Sequence, residues 1–357
     1  MPRVHFLNVG QGDCSIIEHG SERVSMIDVS SGNISETEEA VQKRLRTALA
    51  AFGTANATSN HNMKEYPTNP IRHCKQHRIY SIFRFIITHP DMDHMDGLEN
   101  LLTELHVQNV WEPGIRRSKP DFSNCPFHEG DWDCYQKLID RKWPRINVLS
   151  NLAGAIFEFA NKGDTENRGD CLSIVAPNKS LVTEANSSED LNDGSYVIVY
   201  RTCGGNIIFP GDSHDETWNF VIQNYSDLVK DCAVLIAPHH GRKSDRAYDF
   251  LDVLKPRLTL FGNAPSEHLA YSAWSTRNLP YITNNQAGNI ILEATDSGID
   301  VYVENVSFAT QQCGLNLKTN NLGCYYIRSV PKPTRESTSE RPHEVLNRYL
   351  KELKIDV

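Results

Sequence analysis

A chain of 357 residues with 39% hydrophobic and 23% charged residues can bury a sizeable core, and its mixed composition excludes disordered and fibrous classes. The formal net charge of −9 excludes a broad, non-specific grip on nucleic acid, although bound divalent cations and local basic groups can still hold a polyanion at one place. No apolar run reaches the roughly 20 residues needed to cross a bilayer, and the nine cysteines are scattered and odd in number, so we expect a cytoplasmic protein with reduced thiols and no membrane contact.

Val4 to Leu7, Cys14 to Glu18 and Val24 to Asp28 read as short strands. The first two are joined by Val9-Gly10-Gln11-Gly12-Asp13, where two glycines permit a tight, positive-φ turn. Glu36 to Phe52 carries Ala40, Val41, Leu45, Ala48, Leu49 and Phe52 at helical spacing. Residues 53–76, rich in Asn, Thr, His and Pro, read as an insertion or mobile loop with His61 and His73 on its surface and His77 at its end. Ile82 to Ile87 is then a buried strand that stops at Thr88 and releases His89, Asp91, Asp93, His94 and Asp96 before Gly97.

Gly97 to Leu105 predicts a helix and Val107 to Trp111 a strand, followed by a polar loop with the basic cluster Arg116-Arg117-Ser118-Lys119. Cys125, His128 and Cys134 lack an evident fourth ligand and read as ordinary residues rather than a zinc site. Trp132 to Lys142 reads as helix, then Val148 to Leu152, Ala155 to Phe159 and Cys171 to Ala176 as strands, and Asn178 to Asp193 as a polar spacer. The strand Tyr196 to Tyr200 turns at Gly204-Gly205 into Asn206 to Phe209, which ends at Pro210-Gly211-Asp212. After the helical Glu216 to Tyr225, the strand Ala233 to Ala237 ends at Pro238-His239-His240-Gly241, with Arg242 and Lys243 beyond. Arg246 to Leu254 and Ala270 to Asn278 read as helices around the strand Leu258 to Phe261, and Asn289 to Ala294 pairs with Asp300 to Glu304. Residues 1–329 are thus one expected domain, 330–342 a Pro- and Ser-rich linker, and 343–357 a terminal helix.

Three strands therefore end in ligand-type residues: His89, Asp91, Asp93 and His94; Asp212; and His239 with His240. A carboxylate supplied between two histidine-bearing loops suits a bridge between two cations. The alternation of short apolar strands with helices predicts a layered α/β fold in which these loops share one edge. A serine-hydrolase reading through Ser195 and His240 lacks the glycine pattern of a nucleophile elbow.

The stretches Phe6 to Asp13, Thr88 to Gly97, Ser195 to Val199, Pro210 to Asp212 and Pro238 to Gly241 together resemble metallo-β-lactamase-fold hydrolases, and specifically the soluble hydrolase domain of the ComEC competence-protein type. The resemblance covers about residues 1–304 and implies an αββα sandwich, without the membrane channel of the competence proteins. It departs from the family pattern at Asn8, Asp96 and Arg242, and no histidine lies between His128 and His214. What it implies is a nuclease or other phosphodiesterase with two divalent metal ions. In that reading His89 and Asp91 hold one cation, Asp93, His94 and one of His239 or His240 hold the other, and Asp212 bridges. Asp93 and His240 are the expected catalytic groups; Ser195, Arg242, Lys243 and His268 are the expected substrate contacts. Asp91 in place of a histidine favours Mn²⁺ or Mg²⁺ relative to an imidazole-rich site, so the best activity is expected with Mn²⁺, and with Zn²⁺ bound tightly but less productive. Two alternatives stay open: a weakly active or inactive module working through a protein partner, such as an ATPase of a bacterial defence operon, and an ester or lactone hydrolase.

Overall fold

The structure, a computed structural model, describes residues 1–35, 37–38, 61–162, 169–188, 190–230, 232–243, 246–264 and 268–333. Its strands alternate inward and outward side chains, and that period of two sorts the apolar residues into three layers. In β1 (Arg3–Phe6), β2 (Ser15–Glu18), β3 (Val24–Ile27), β4 (Ser81–Ile86), β5 (His106–Trp111) and β6 (Asn147–Leu149) the chain lays down most of one sheet. It then builds a second sheet from β7 (Leu172–Ala176), β8 (Val197–Thr202), β9 (Gly205–Phe209), β10 (Val234–Ile236), β11 (Leu258–Phe261) and β12 (Tyr281–Thr283). Finally β13 (Ile290–Thr295), β14 (Gly298–Val303) and β15 (Tyr325–Pro331) return to the first. The nine-stranded sheet has the order β15-β14-β13-β1-β2-β3-β4-β5-β6, and the six-stranded one β12-β11-β10-β9-β8-β7.

The sheets face each other across one continuous core. Val4, Phe6, Ile17 and Ile86 of the large sheet meet Ile198, Ile207, Phe209 and Leu260 of the small one. On the outer face of the large sheet, Ile16, Met26, Phe85 and Val110 pack with Ile71, Leu101, Trp132 and Leu138 of flanking helices. On the outer face of the small sheet, Val197, Val199, Ile208 and Leu235 are covered by Trp218, Val221, Leu228 and Leu251. The layers run helix, sheet, sheet, helix, as the sequence predicts. β13 closes onto β1 in antiparallel register, Phe6 opposite Ile290, and Arg3 salt-bridges Glu293 at 2.9 Å across 290 residues of sequence.

Several expected elements differ. Part of the expected insertion is ordered structure, with a 3-10 turn at Met63–Glu65 and a helix at Pro70–Gln76. Proline at the first helical position and the Asn69 side chain, which accepts from the backbone N–H of Ile71 and Arg72, start that helix. His73 is consequently buried, 2.9 Å from His5, rather than on a surface loop. The expected spacer holds a helix at Lys179–Ser187, capped by Asn178. No strand forms over Ala155 to Phe159, where only an isolated Glu158–Lys162 bridge appears. β15 runs through Val330, 1% exposed, to Pro331, so the expected linker loses its first two residues to the sheet. Most of the helix expected over Glu36 to Phe52, residues 53–60 of the insertion and the C-terminal helix lie outside the described residues.

Candidate metal centre

β3, β4 and β5 run parallel in one sheet, and β9, β10 and β11 run parallel in the other. The carboxyl ends of these strands meet at one edge of the sandwich, where parallel α/β sheets place their sites. Asp28 follows β3, Thr88 and His89 follow β4, Asp212 follows β9, and His239 and His240 follow β10. Tight turns allow that convergence. Gly12 has φ +80°, and a Cβ there would lie 1.8 Å from the Asp93 carbonyl oxygen, so only glycine lets the two loops touch.

One buried carboxylate organises the first loop. Asp28, 1% exposed, accepts the Thr88 backbone N–H at 2.8 Å and the Thr88 hydroxyl at 2.7 Å, and it lies 2.8 Å from His94 Nδ1. A carboxylate only accepts, so His94 donates its Nδ1–H and presents Nε2 to the site. The Thr88 hydroxyl spends its proton on Asp28 and is left to accept from His89 Nδ1 at 3.2 Å, which frees His89 Nε2 in the same way. Asp13 lies beside His240, with Oδ2 3.2 Å from Nδ1, as a charge neighbour without the hydrogen bond that Asp28 makes to His94.

Four imidazole nitrogens surround Asp212, 3% exposed: His94 Nε2 at 3.3 Å, His239 Nε2 at 3.5 Å, His240 Nε2 at 3.6 Å and His89 Nε2 at 3.9 Å. His240 Nε2 is also 3.5 Å from Asp93 Oδ2. Among the described residues, His89 Nε2, His94 Nε2, both ring nitrogens of His240 and Asp212 Oδ1 are buried without a hydrogen-bond partner. Orphaned buried polar atoms are costly, and this set is the imidazole and carboxylate donor set of a divalent cation. Ligand atoms of His89, His94 and Asp212 lie within 4.8 Å of one another, as do those of Asp93, His94 and His240, and those of Asp13, Asp212 and His240. The residues present fit a metal.

The electrostatics agree. Burial alone would lower the His94 and His240 pKa values, but the surrounding aspartates prevail: Asp212, Asp28 and Asp93 raise His94 well above its ordinary value, and Asp212 and Asp13 push His240 up to about 10. Asp212 stays ionised despite burial because His240, His94 and His239 face it. The pocket thus holds excess negative charge that draws positive charge inward. His239 behaves differently: burial takes it down to about 4. Arg246, 8% exposed, donates through Nη2 to the Asp212 carbonyl at 2.9 Å and to His239 Nδ1 at 3.0 Å. Arginine has no acceptor, so the neutral His239 ring carries its proton on Nε2. The two histidines that the sequence leaves equivalent are therefore distinct: His240 holds a positive charge that a metal can replace, and His239 offers an N–H.

The structure brings His89, Asp93, His94, Asp212, His239 and His240 together. Asp91 stands at the rim, where its Oδ1 is bonded to Arg117 Nη1 and its Oδ2 lies 3.5 Å from His89 Nε2. Ser195 is fully buried, and a Cβ on Gly211 would lie 3.1 Å from its own Cβ, so it packs behind the Asp212 turn rather than facing a substrate. Arg242 and Lys243 are exposed beside the histidine pair. His268 is exposed as well, joined to that loop by its carbonyl, which accepts from Lys243 N–H, and it belongs to none of the ligand groups. Sequence reasoning assigns no role to Asp13, Asp28, Thr88, Arg117 or Arg246. Asp28 carries a signal, since it ends a strand as Asp212 does; the arginines carry none beyond their charge.

No protein-family model matches the sequence, and no curated protein matches it. Solved structures similar to the chain include a diphosphatase from the PhnP family, at 10% identity over 82% of this chain and 97% of that one, with a TM-score of 0.39. A metal-dependent hydrolase of the β-lactamase superfamily matches at 12% identity over 83% of this chain and 100% of its own, with a TM-score of 0.46. The metallo-β-lactamase-fold protein YhfI from Bacillus subtilis matches at 10% identity over 79% and 96%, with a TM-score of 0.38.

Proposed function

We propose that the protein is a metal-dependent hydrolase that cleaves phosphodiesters, with nucleic acid as the substrate class. The observation that carries this reading is the set of buried, partnerless imidazole nitrogens and carboxylate oxygens around Asp212. Asp93, His94, His240 and Asp212 would hold one divalent cation; His89, Asp91 and Asp212 would hold a second. Such cations lower the pKa of water toward ~7 and neutralise charge on the oxygens of a phosphate.

The chain's own groups supply the rest. Asp28 and Thr88 fix two rings so that their proton-free nitrogens face inward. Asp93 orients the attacking water by accepting its proton. His239, which keeps its proton on Nε2, donates a hydrogen bond to the leaving oxygen, which then takes its proton from solvent. Arg242 and Lys243, exposed at the mouth, neutralise flanking phosphates. The test is to strip the protein with chelator, restore Mn²⁺, Zn²⁺ or Mg²⁺ separately, and offer single- and double-stranded DNA, RNA and a chromogenic phosphodiester. We expect cleavage of at least one, fastest with Mn²⁺, and none without metal. Metal-independent cleavage, or no cleavage of any of the four by metal-loaded protein, overturns the reading.

A further inference from the structure

Among the described residues, Asp91 is the expected ligand whose carboxylate accepts a hydrogen bond from an arginine side chain. Arg117 Nη1 donates to Asp91 Oδ1 and, at 3.4 Å, to the Pro90 carbonyl. The backbone that carries the arginine is held in place by the residues before it. Ile115 is fully buried against Ala185 and Leu191, its carbonyl accepts the Tyr135 hydroxyl at 3.2 Å, and the Arg116 N–H donates to Asn186 Oδ1 at 2.6 Å. The neighbouring cations point elsewhere: Arg116 pairs with Glu112 at 3.2 Å, and Lys119 pairs with Glu129. Of this basic cluster, only Arg117 reaches the centre. Asp93, two residues from Asp91, instead faces His240, with Oδ2 3.5 Å from its Nε2.

We propose that Arg117 is a resident cation at Asp91, so that the position made by His89, Asp91 and Asp212 binds metal much more weakly than the position made by Asp93, His94, His240 and Asp212. The inference rests on the reading of the site as a metal centre. Its physical basis is twofold. The guanidinium takes one of the two Asp91 oxygens, and its fixed charge repels a divalent cation a few ångströms away. At ~5 Å that repulsion is worth at least a factor of about ten in affinity, even if the site is as polar as water. Arginine keeps its charge at every pH the protein meets, so the handicap is permanent. Arg117 acts here as a positioning residue: it sets the occupancy of the centre rather than touching the reacting atoms.

The experiment is a titration of chelated full-length protein with Mn²⁺ alone, followed by calorimetry and by electron paramagnetic resonance, for the wild type, Arg117→Gln and Arg117→Lys. We expect the wild type to take one equivalent tightly and to give the six-line signal of an isolated ion, with a second equivalent at least about tenfold weaker. In Arg117→Gln the second step should tighten by about tenfold or more, and the signal of two coupled ions should appear at lower Mn²⁺ than in the wild type. Arg117→Lys keeps the charge and should behave like the wild type in its second step. Two equally tight equivalents in the wild type, unchanged by Arg117→Gln, overturn the proposal and leave the metal centre standing. Failure of all three proteins to bind Mn²⁺ overturns the metal centre and this inference with it.

Discussion

Replacing Asp28 by asparagine keeps the shape of the side chain and reverses one end of its hydrogen-bonding. Oδ1 can go on accepting the Thr88 N–H, at 2.8 Å in the native protein. The amide nitrogen then stands where Oδ2 was, 2.7 Å from the Thr88 hydroxyl and 2.8 Å from His94 Nδ1, and it must donate to both. His94 becomes an acceptor at Nδ1, so its proton moves to Nε2. The Thr88 hydroxyl, now an acceptor from the introduced amide, turns its own proton toward His89 Nδ1, 3.2 Å away, and that ring changes tautomer as well. Two nitrogens that offered lone pairs would present N–H groups to Asp212. Losing a hydrogen-bond partner behind one metal-binding histidine costs about 10–100-fold in affinity, so two together should weaken binding by roughly 10²-fold at least, or about 2.7 kcal/mol. Calorimetric titration of chelated wild type and Asp28→Asn measures this directly, with circular dichroism to verify the fold. Long-range nitrogen–proton spectra of the zinc-loaded proteins report the tautomers independently. An affinity within about threefold of wild type in a folded variant, with Nε2 still proton-free, would falsify the relay from Asp28 through Thr88.

Asp212→Ala should lower turnover by on the order of 10²–10³-fold or more and reduce metal content, while the melting curve stays cooperative, because the residue lies at the edge of the sandwich rather than in its core; undiminished hydrolysis at normal metal occupancy speaks against its place in the centre. A third outcome concerns acid. Burial takes His19 down to about 3 and His73 well below its ordinary value, so the unfolded chain binds protons that the folded one refuses. The stability these rings contribute is fully present above about pH 6.5 and is lost as pH falls toward 3, with His19 alone accounting for roughly 4–5 kcal/mol. Urea denaturation between pH 8 and 5 should show the decline beginning near pH 6.5; a stability flat down to pH 5 would show that both rings protonate freely in the native state.

The strand-terminal ligands are legible because short, β-branched strands announce their ends, and each end is marked by glycine or proline: Gly97 after His94, Pro210-Gly211 before Asp212, Pro238 and Gly241 around the histidine pair. The layered fold follows from the same alternation. What the sequence does not carry is partnership across distance. Asp28 and Thr88 are 60 residues apart, Asp13 and His240 are 227 apart (240 − 13), and only the fold makes them neighbours. Asp91 and Arg117 illustrate the point most sharply, since nothing in the spacing of the ligand motif shows that an arginine 26 residues on meets one of its carboxylates. Helices escape notice where polar composition masks a cap: Asn69-Pro70 and Asn178 each start one inside a stretch that reads as loop. Ser195 is misread for a simpler reason. It lies in the turn before β8 rather than on the strand, fully buried against Gly211, and composition alone does not show that burial.

The pairing of β1 with β13 has a bearing on how the molecule is made. β1 lies in the interior of the nine-stranded sheet, yet one of its two neighbours begins only at Ile290, so it is synthesised long after β1 has left the ribosome. Until then β1 exposes a full row of unpaired backbone donors and acceptors, flanked by the apolar Val4 and Phe6. Closing so long a loop is slow, because its entropy must be lost before the contact rewards it. The nascent chain that still lacks β13 is therefore the vulnerable species, open to pairing with other chains at the edge that Ile290 to Glu293 later covers. Truncation just before β13 should yield an aggregating fragment, even though such a fragment retains every residue that faces Asp212.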